Sequence, residues 1–212
     1  MKKLTFGIFI YISIIAILLY WSFQQSVEHT TKELNYTPVP IESRGYVKKT
    51  GIEYHIYPIP EITPGAMNPA VTQENLKDTI CKTGYTKTVR PSTSVTNKIK
   101  KESMKQYGYT DSMSNYELDH FYPITDSGHP SSPQNLWPQV WHLEVDGYDV
   151  GARTKDRLEV AYNKLLCSGK VKLESVPLCF NEWVSCYKQF VGPLPKYDEK
   201  KLGGIDDEEA IQ

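Results

Sequence analysis

The chain of 212 residues has only four cysteines, and no two of them form a CxxC pair. A structural zinc held by closely spaced thiolates is therefore unsupported. An excess of one charge is also missing. Lys and Arg number 24 against 25 Asp and Glu, for a formal net charge of -1. The chain as a whole has no pull toward nucleic acid, so any such attraction must come from local charge. No internal repeat is present, which sets repeat architectures aside. What is present is a composition 40% hydrophobic and 12% aromatic. That suffices for a packed core and argues against a disordered chain. The length corresponds to one domain with attachments.

Charge is absent altogether from residues 4–23, LTFGIFIYISIIAILLYWSF, which follow Lys2 and Lys3. As a helix this run is about 30 Å long, the thickness of a bilayer's hydrocarbon core. The lysines favour a cytoplasmic N-terminus, and Tyr20 and Trp21 fall where interfacial aromatics sit. An uncleaved membrane anchor at 1–23 is the expectation. A cleavable signal peptide is the alternative, but no small-x-small cleavage site follows Phe23. Either reading exports the rest of the chain. In an oxidising compartment Cys81, Cys167, Cys179 and Cys186 form up to two disulfides, in one of three pairings. The segment PLCFNEWVSCYKQF reads as one helix. Seven residues along a helix span about 10.5 Å, beyond disulfide reach, so the expected bridge is Cys81 to Cys167.

Residues 24–65, interrupted by Pro38, Pro40, Pro58, Pro60 and Pro64, read as a spacer with at most a short edge strand in YHIYPIP. The compact domain is expected over 66–192, with a polar acidic tail at 193–212. Within the domain, Thr72 caps a helix that turns Leu76 and Ile80 inward. A helix follows over 94–106, then a strand in YELDHFYPI and a turn-rich loop in TDSGHPSSP. From Pro138 to Val150 the pattern is ambiguous. A helix over 152–167 places Leu158, Ala161, Tyr162, Leu165 and Leu166 on its inner face and Lys155, Asp156, Arg157 and Lys164 outside. Ser168-Gly169 stops it, and a last helix bearing Trp183 and Tyr187 follows Pro177.

Asp119-His120 lies at the end of the expected strand. Neighbours on a strand face opposite sides, so a regular geometry gives the two side chains different work. An imidazole can take a proton from water while a carboxylate holds a hard divalent cation. Taken alone, the pair reads as a buried histidine beside a local carboxylate. The longer pattern ELDHFYPITDSG…NLWP, followed by a helix, resembles the HNH (His-Me finger) endonuclease family through Asp119, His120, Pro123, Gly128, Asn135 and Leu136. Stretches such as NPAVTQENL, GYTKTVRP and GARTKDRLE extend the likeness to small exported bacterial HNH-type proteins over about residues 68–192.

The resemblance implies an α+β fold with a ββα-metal core and flanking helices, which the transmembrane helix read from residues 4–23 would precede. It implies a metal-dependent endonuclease (Mg, Mn or Zn) that hydrolyses DNA with low sequence preference. His120 would be the general base, Asp119 a metal ligand and Asn135 the residue that fixes the histidine-bearing loop. The family's further ligand is a His or Asn at the helix entrance. Here Gly151, Ala152, Arg153 and Thr154 precede Lys155, and none is a usual ligand. His142 is the first substitute, with His129, Glu144, Asp149 and Asp156 as others. The alternative is a catalytically degenerate HNH-fold binding or scaffold protein on the outer membrane face. A metal-dependent hydrolase acting on cell wall has no motif to support it.

Nucleic-acid binding has separate support. Between Cys81 and Tyr107, Lys82, Lys87, Arg90, Lys98, Lys100, Lys101 and Lys105 face Glu102 alone. Such a stretch suits salt-sensitive, sequence-independent phosphate contacts. A solvated helix face, or lysines turned to anionic lipid, are the other readings. Arg90, Lys98, Lys101 and Arg153 are the candidate phosphate contacts, Arg153 because it sits near a helix N-terminus.

Overall fold

The structure is a computed structural model that describes residues 46–49 and 51–198. The expected membrane anchor at 1–23 and the end of the acidic tail lie outside the described residues. Among the described residues, no helix is long and apolar enough to cross a membrane.

The described chain is α+β, with three two-stranded antiparallel sheets. Strands β1 (Tyr46–Lys49) and β2 (Ile52–His55) form the first hairpin. Helices α1 (Tyr85–Val89) and α2 (Thr93–Gln106) follow. Strands β3 (Tyr116–His120) and β4 (Leu136–Val140) then pair, with Asp119 opposite Trp137 and His120 opposite Leu136. Strands β5 (Glu144–Val145) and β6 (Tyr148–Asp149) occupy the stretch the sequence left ambiguous. Helix α3 (Ala152–Cys167) leads to α4 (Val176–Asn181) and α5 (Trp183–Phe190).

Helix α2 packs on the β3–β4 pair, while α3 packs on α5 and on a 3-10 turn at Ile124–Asp126. Pro138 sits opposite Leu118 in β4. Both strands of a two-stranded sheet are edges, so the missing N–H breaks no second ladder. The core is aromatic: Tyr116, Trp137, Tyr162, Phe180 and Trp183 are fully buried together with Leu158 and Val176. Burying each such side chain contributes roughly 1.5–3 kcal/mol.

Four expectations change. The spacer does not run to residue 65, because its second half is strapped to the core. Trp183 Nε1 donates to the Ile56 carbonyl at 2.9 Å, and the Tyr107 hydroxyl meets Thr63 Oγ1 at 2.8 Å. At the other end, the tail begins as packed chain: Asp149 N donates to the Pro195 carbonyl and Tyr197 N to that of Gly147. Cys179 and Cys186 do form a disulfide, with Cα atoms 5.3 Å apart. The expected single helix breaks at Glu182, where φ −129° and ψ 49° fold α5 back on α4. Lastly, Lys155 does not ride outside α3 but is fully buried.

The Cys81–Cys167 bridge is present as expected, with Cα atoms 5.5 Å apart across 86 residues of sequence. Two disulfides fit an oxidising environment. Closing so long a loop restrains the unfolded chain by about 4 kcal/mol. The double variant Cys81→Ser, Cys167→Ser is therefore expected to lose about that much unfolding free energy in a denaturant titration. A loss below about 1 kcal/mol would contradict an entropic role for the bridge.

Candidate active site

The β3–β4 connection, residues 121–135, is held from inside by one amide. Asn135 is 0% exposed, and its Oδ1 accepts from Tyr122 N at 2.9 Å and Ala66 N at 3.4 Å. Its Nδ2 donates to the carbonyls of Tyr122 at 2.9 Å and His129 at 3.1 Å. Two acceptor and two donor sites are filled, which is all that an amide side chain offers. Gly128 lies at the same junction. A Cβ there would come within 1.5 Å of the Tyr122 carbonyl oxygen and 2.9 Å of Asn135 Nδ2. Only glycine lets the loop close this tightly.

The loop positions His120. Its Nε2 lies 3.0 Å from the Pro130 carbonyl oxygen. A carbonyl only accepts, so Nε2 carries the proton and the Nδ1 lone pair is available. Burial is the main cause that lowers the imidazole's pKa to about 4, with the charges of Arg90 and Lys155 acting in the same direction. The ring is therefore neutral at pH 7. Asp119 turns to the opposite side of the strand, as the alternation requires. Its Oδ1 accepts from His120 N at 2.8 Å, and its Oδ2 is 2.8 Å from Lys155 Nζ.

Lys155 lies in the first turns of α3 with its ammonium among three oxygens. Asp119 Oδ2 and the His120 carbonyl are each 2.8 Å away, and Glu159 Oε1 is 2.6 Å away. The Phe180 ring lies on a further side, 5.5 Å from Nζ. Burial opposes the charged form, but Asp119 and Glu159 outweigh it and hold the lysine above its usual range. Other carboxyls surround this centre. Burial, followed by the nearby carboxylates, raises Glu117 and Glu159, and burial with Asp119 raises Asp156 to about 6. Asp126 is fully buried and raised well above the usual range, chiefly by burial.

The remaining candidates separate. His142 Nδ1 pairs with Asp149 Oδ2 at 2.6 Å, and Asp149 Oδ1 accepts from Leu143 N and Gly151 N. Burial would raise the Asp149 carboxyl, but the His142 contact and these backbone donors together lower it. This pair shapes the entrance to α3 instead of reaching Asp119. His129 Nδ1 accepts from Ser131 N and Ser132 N, which makes it a turn residue. Arg90 and Arg153 are exposed, and the charges of both reach Asp156. The Arg153 guanidinium lies 4.6 Å from the Trp141 ring centre. Lys98 and Lys101 are exposed on α2, whereas Lys100 is tied down by donating to the Tyr116 carbonyl at 2.6 Å.

The expected divalent ion fits poorly. Asp119 Oδ1 accepts from His120 N, Oδ2 is ion-paired to Lys155 although it accepts no hydrogen bond, His142 is held by Asp149, and Thr154 Oγ1 donates to the Asp149 carbonyl. Among the described residues, no group of three His, Cys, Asp or Glu is arranged to hold a metal. An ammonium already stands at the carboxylate a metal would use.

Asp119, His120 and Asn135 thus come together, with Arg90 electrostatically near, while His142 belongs to a separate pair. Lys155, Glu117, Asp126 and Glu159 were missed as site residues. For Lys155 the signal was its spacing, three residues before Leu158 and seven before Tyr162, which places it on the buried stripe. No protein-family model, no curated protein and no solved structure matches the chain.

Proposed function

We propose that the chain is an HNH-type phosphodiesterase that cuts DNA with little sequence preference. The observation that carries this reading is the His120 ring, with Nε2–H committed to Pro130 O and a proton-free Nδ1 on a loop fixed by Asn135. In the proposed reaction Nδ1 takes a proton from water while the water oxygen bonds to phosphorus. The P–O ester bond breaks, and the leaving alkoxide takes a proton from solvent. Arg90 and Arg153, aided by Lys98 and Lys101, would hold backbone phosphates, contacts that position the strand without reading bases. The two disulfides agree with a domain outside the cytoplasm, tethered through residues 4–23.

The test is nicking of supercoiled plasmid by the purified full chain over a wide range of pH and metal, without and with chelator. Absence of nicking throughout would remove the reading. Arg90→Ala and Arg153→Ala are each expected to weaken DNA binding about equally on unrelated sequences. Each should also flatten the plot of log affinity against log salt by close to one unit. An unchanged salt slope would take these arginines out of the interface.

A second reading, the binding or scaffold module, is favoured by one observation: a buried lysine ammonium, not an open position, is ion-paired to Asp119. It predicts DNA or protein binding that survives His120→Ala and chelator, with no cleavage.

A further inference from the structure

We infer that Lys155 is the site's resident cation, and that its ammonium takes the position at Asp119 where the resemblance places a divalent metal. Three oxygens converge on Nζ from two elements: Asp119 Oδ2 and the His120 carbonyl from β3, and Glu159 Oε1 from α3 itself. The contacts to the His120 carbonyl and Glu159, 2.8 and 2.6 Å, are charge-assisted hydrogen bonds, and Asp119 Oδ2 completes the set as an ion pair at 2.8 Å without accepting a hydrogen bond. Lys155 is 0% exposed, so this is not a surface lysine that has settled on a carboxylate.

Several consequences follow. A metal at Asp119 Oδ2 would have to displace a buried ammonium that also lies 5.5 Å from the Phe180 ring. A metal that left the ammonium in place would instead lie beside a protonated amine, which repels it. His142 cannot compensate, since Asp149 holds both it and the helix entrance. Placed on α3, the ammonium also grips the backbone of the residue whose ring is the proposed base. Lys155 is thus a positioning residue for His120, acting through its carbonyl oxygen, and it neutralises Asp119 without an exogenous ion.

Two measurements on the full chain decide this. The first is titration with Mn2+, followed by the loss of the free-ion paramagnetic signal, and it does not depend on the nuclease reading. Wild-type protein is expected to take up no Mn2+ at Asp119 up to about 1 mM, a weak-site threshold. Uptake below that concentration which Asp119→Asn abolishes would overturn the inference. Lys155→Ala empties the oxygen cage, and its melting temperature is expected to fall and then rise again with added Mn2+. Wild-type melting should not respond. A folded Lys155→Ala chain indifferent to Mn2+ would overturn the idea of a cation position, and if this variant does not fold, the wild-type titration still decides.

The second measurement rests on the function proposed above: plasmid nicking in excess EDTA should stay within about twofold of the rate in Mg2+. A loss of tenfold or more in EDTA, restored by Mg2+, would overturn the inference while supporting the nuclease. No nicking in either condition would instead defeat the nuclease reading and leave the Mn2+ titration to decide the cation.

Discussion

His120→Ala is expected to reduce plasmid nicking by 10²–10⁴-fold, the usual contribution of a positioned general base, while DNA binding stays within about twofold, since the proposed phosphate contacts lie on other residues. The magnitude follows from the ring's preparation. A histidine free to rotate and titrate near pH 6.5 would be a base only part of the time. Here Nε2 is fixed on Pro130 O, and burial lowers the pKa to about 4, so the base form is filled throughout the neutral range. The pH profile of kcat/KM for the free protein should therefore fall only below about pH 5, with an acid limb near 4. Because the charge of Arg90 contributes to that lowering, Arg90→Ala should move the limb upward. A bound phosphodiester brings negative charge close to the ring, so the limb in kcat should lie above that in kcat/KM. His120→Ala protein that still nicks at the wild-type rate would assign the base elsewhere.

Much of this arrangement was legible from residue order. Strand alternation separates Asp119 from His120, and the structure gives them different partners, Lys155 and Pro130. The α2 and α3 helices follow their apolar periods to within a residue or two. What failed did so for tertiary reasons. Lys155 has the spacing of a core residue and the chemistry of a surface one. Chemistry pointed the wrong way because the compensating carboxylate, Asp119, lies 36 residues earlier, while only Glu159 is local. The break at Glu182 has no Gly or Pro to announce it, and a disulfide across it overrides helix propensity. Prolines at 58, 60 and 64 suggested a spacer. Yet a chain without regular structure can still dock through backbone groups, as Ile56 O does on Trp183. Histidine is a common ligand, which points to His142, but Asp149 beside the helix entrance claims it first.

Asn135→Ala is expected to destabilise the domain by about 4 kcal/mol, a size that follows from counting buried groups left without partners. The amide serves Tyr122 N, Tyr122 O, His129 O and Ala66 N, and no water-facing route replaces it at 0% exposure. Each orphaned backbone group costs about 1–3 kcal/mol, reduced where the loop relaxes to reach solvent. Relaxation has its own consequence, because the loop that would open carries Pro130, whose carbonyl fixes the His120 tautomer. The remaining folded protein should thus lose activity per molecule as well as stability, although Asn135 touches no substrate. Asn135→Asp separates the two effects. It keeps the Oδ1 acceptor for Tyr122 N but turns an acceptor toward two carbonyls unless it is protonated. Its stability should therefore recover as pH falls through the raised pKa of the new carboxyl, whereas that of Asn135→Ala should not. Urea midpoints for the three proteins at pH 5 and pH 8 provide the comparison. An Asn135→Ala midpoint equal to wild type would show that the loop is held by something other than this amide.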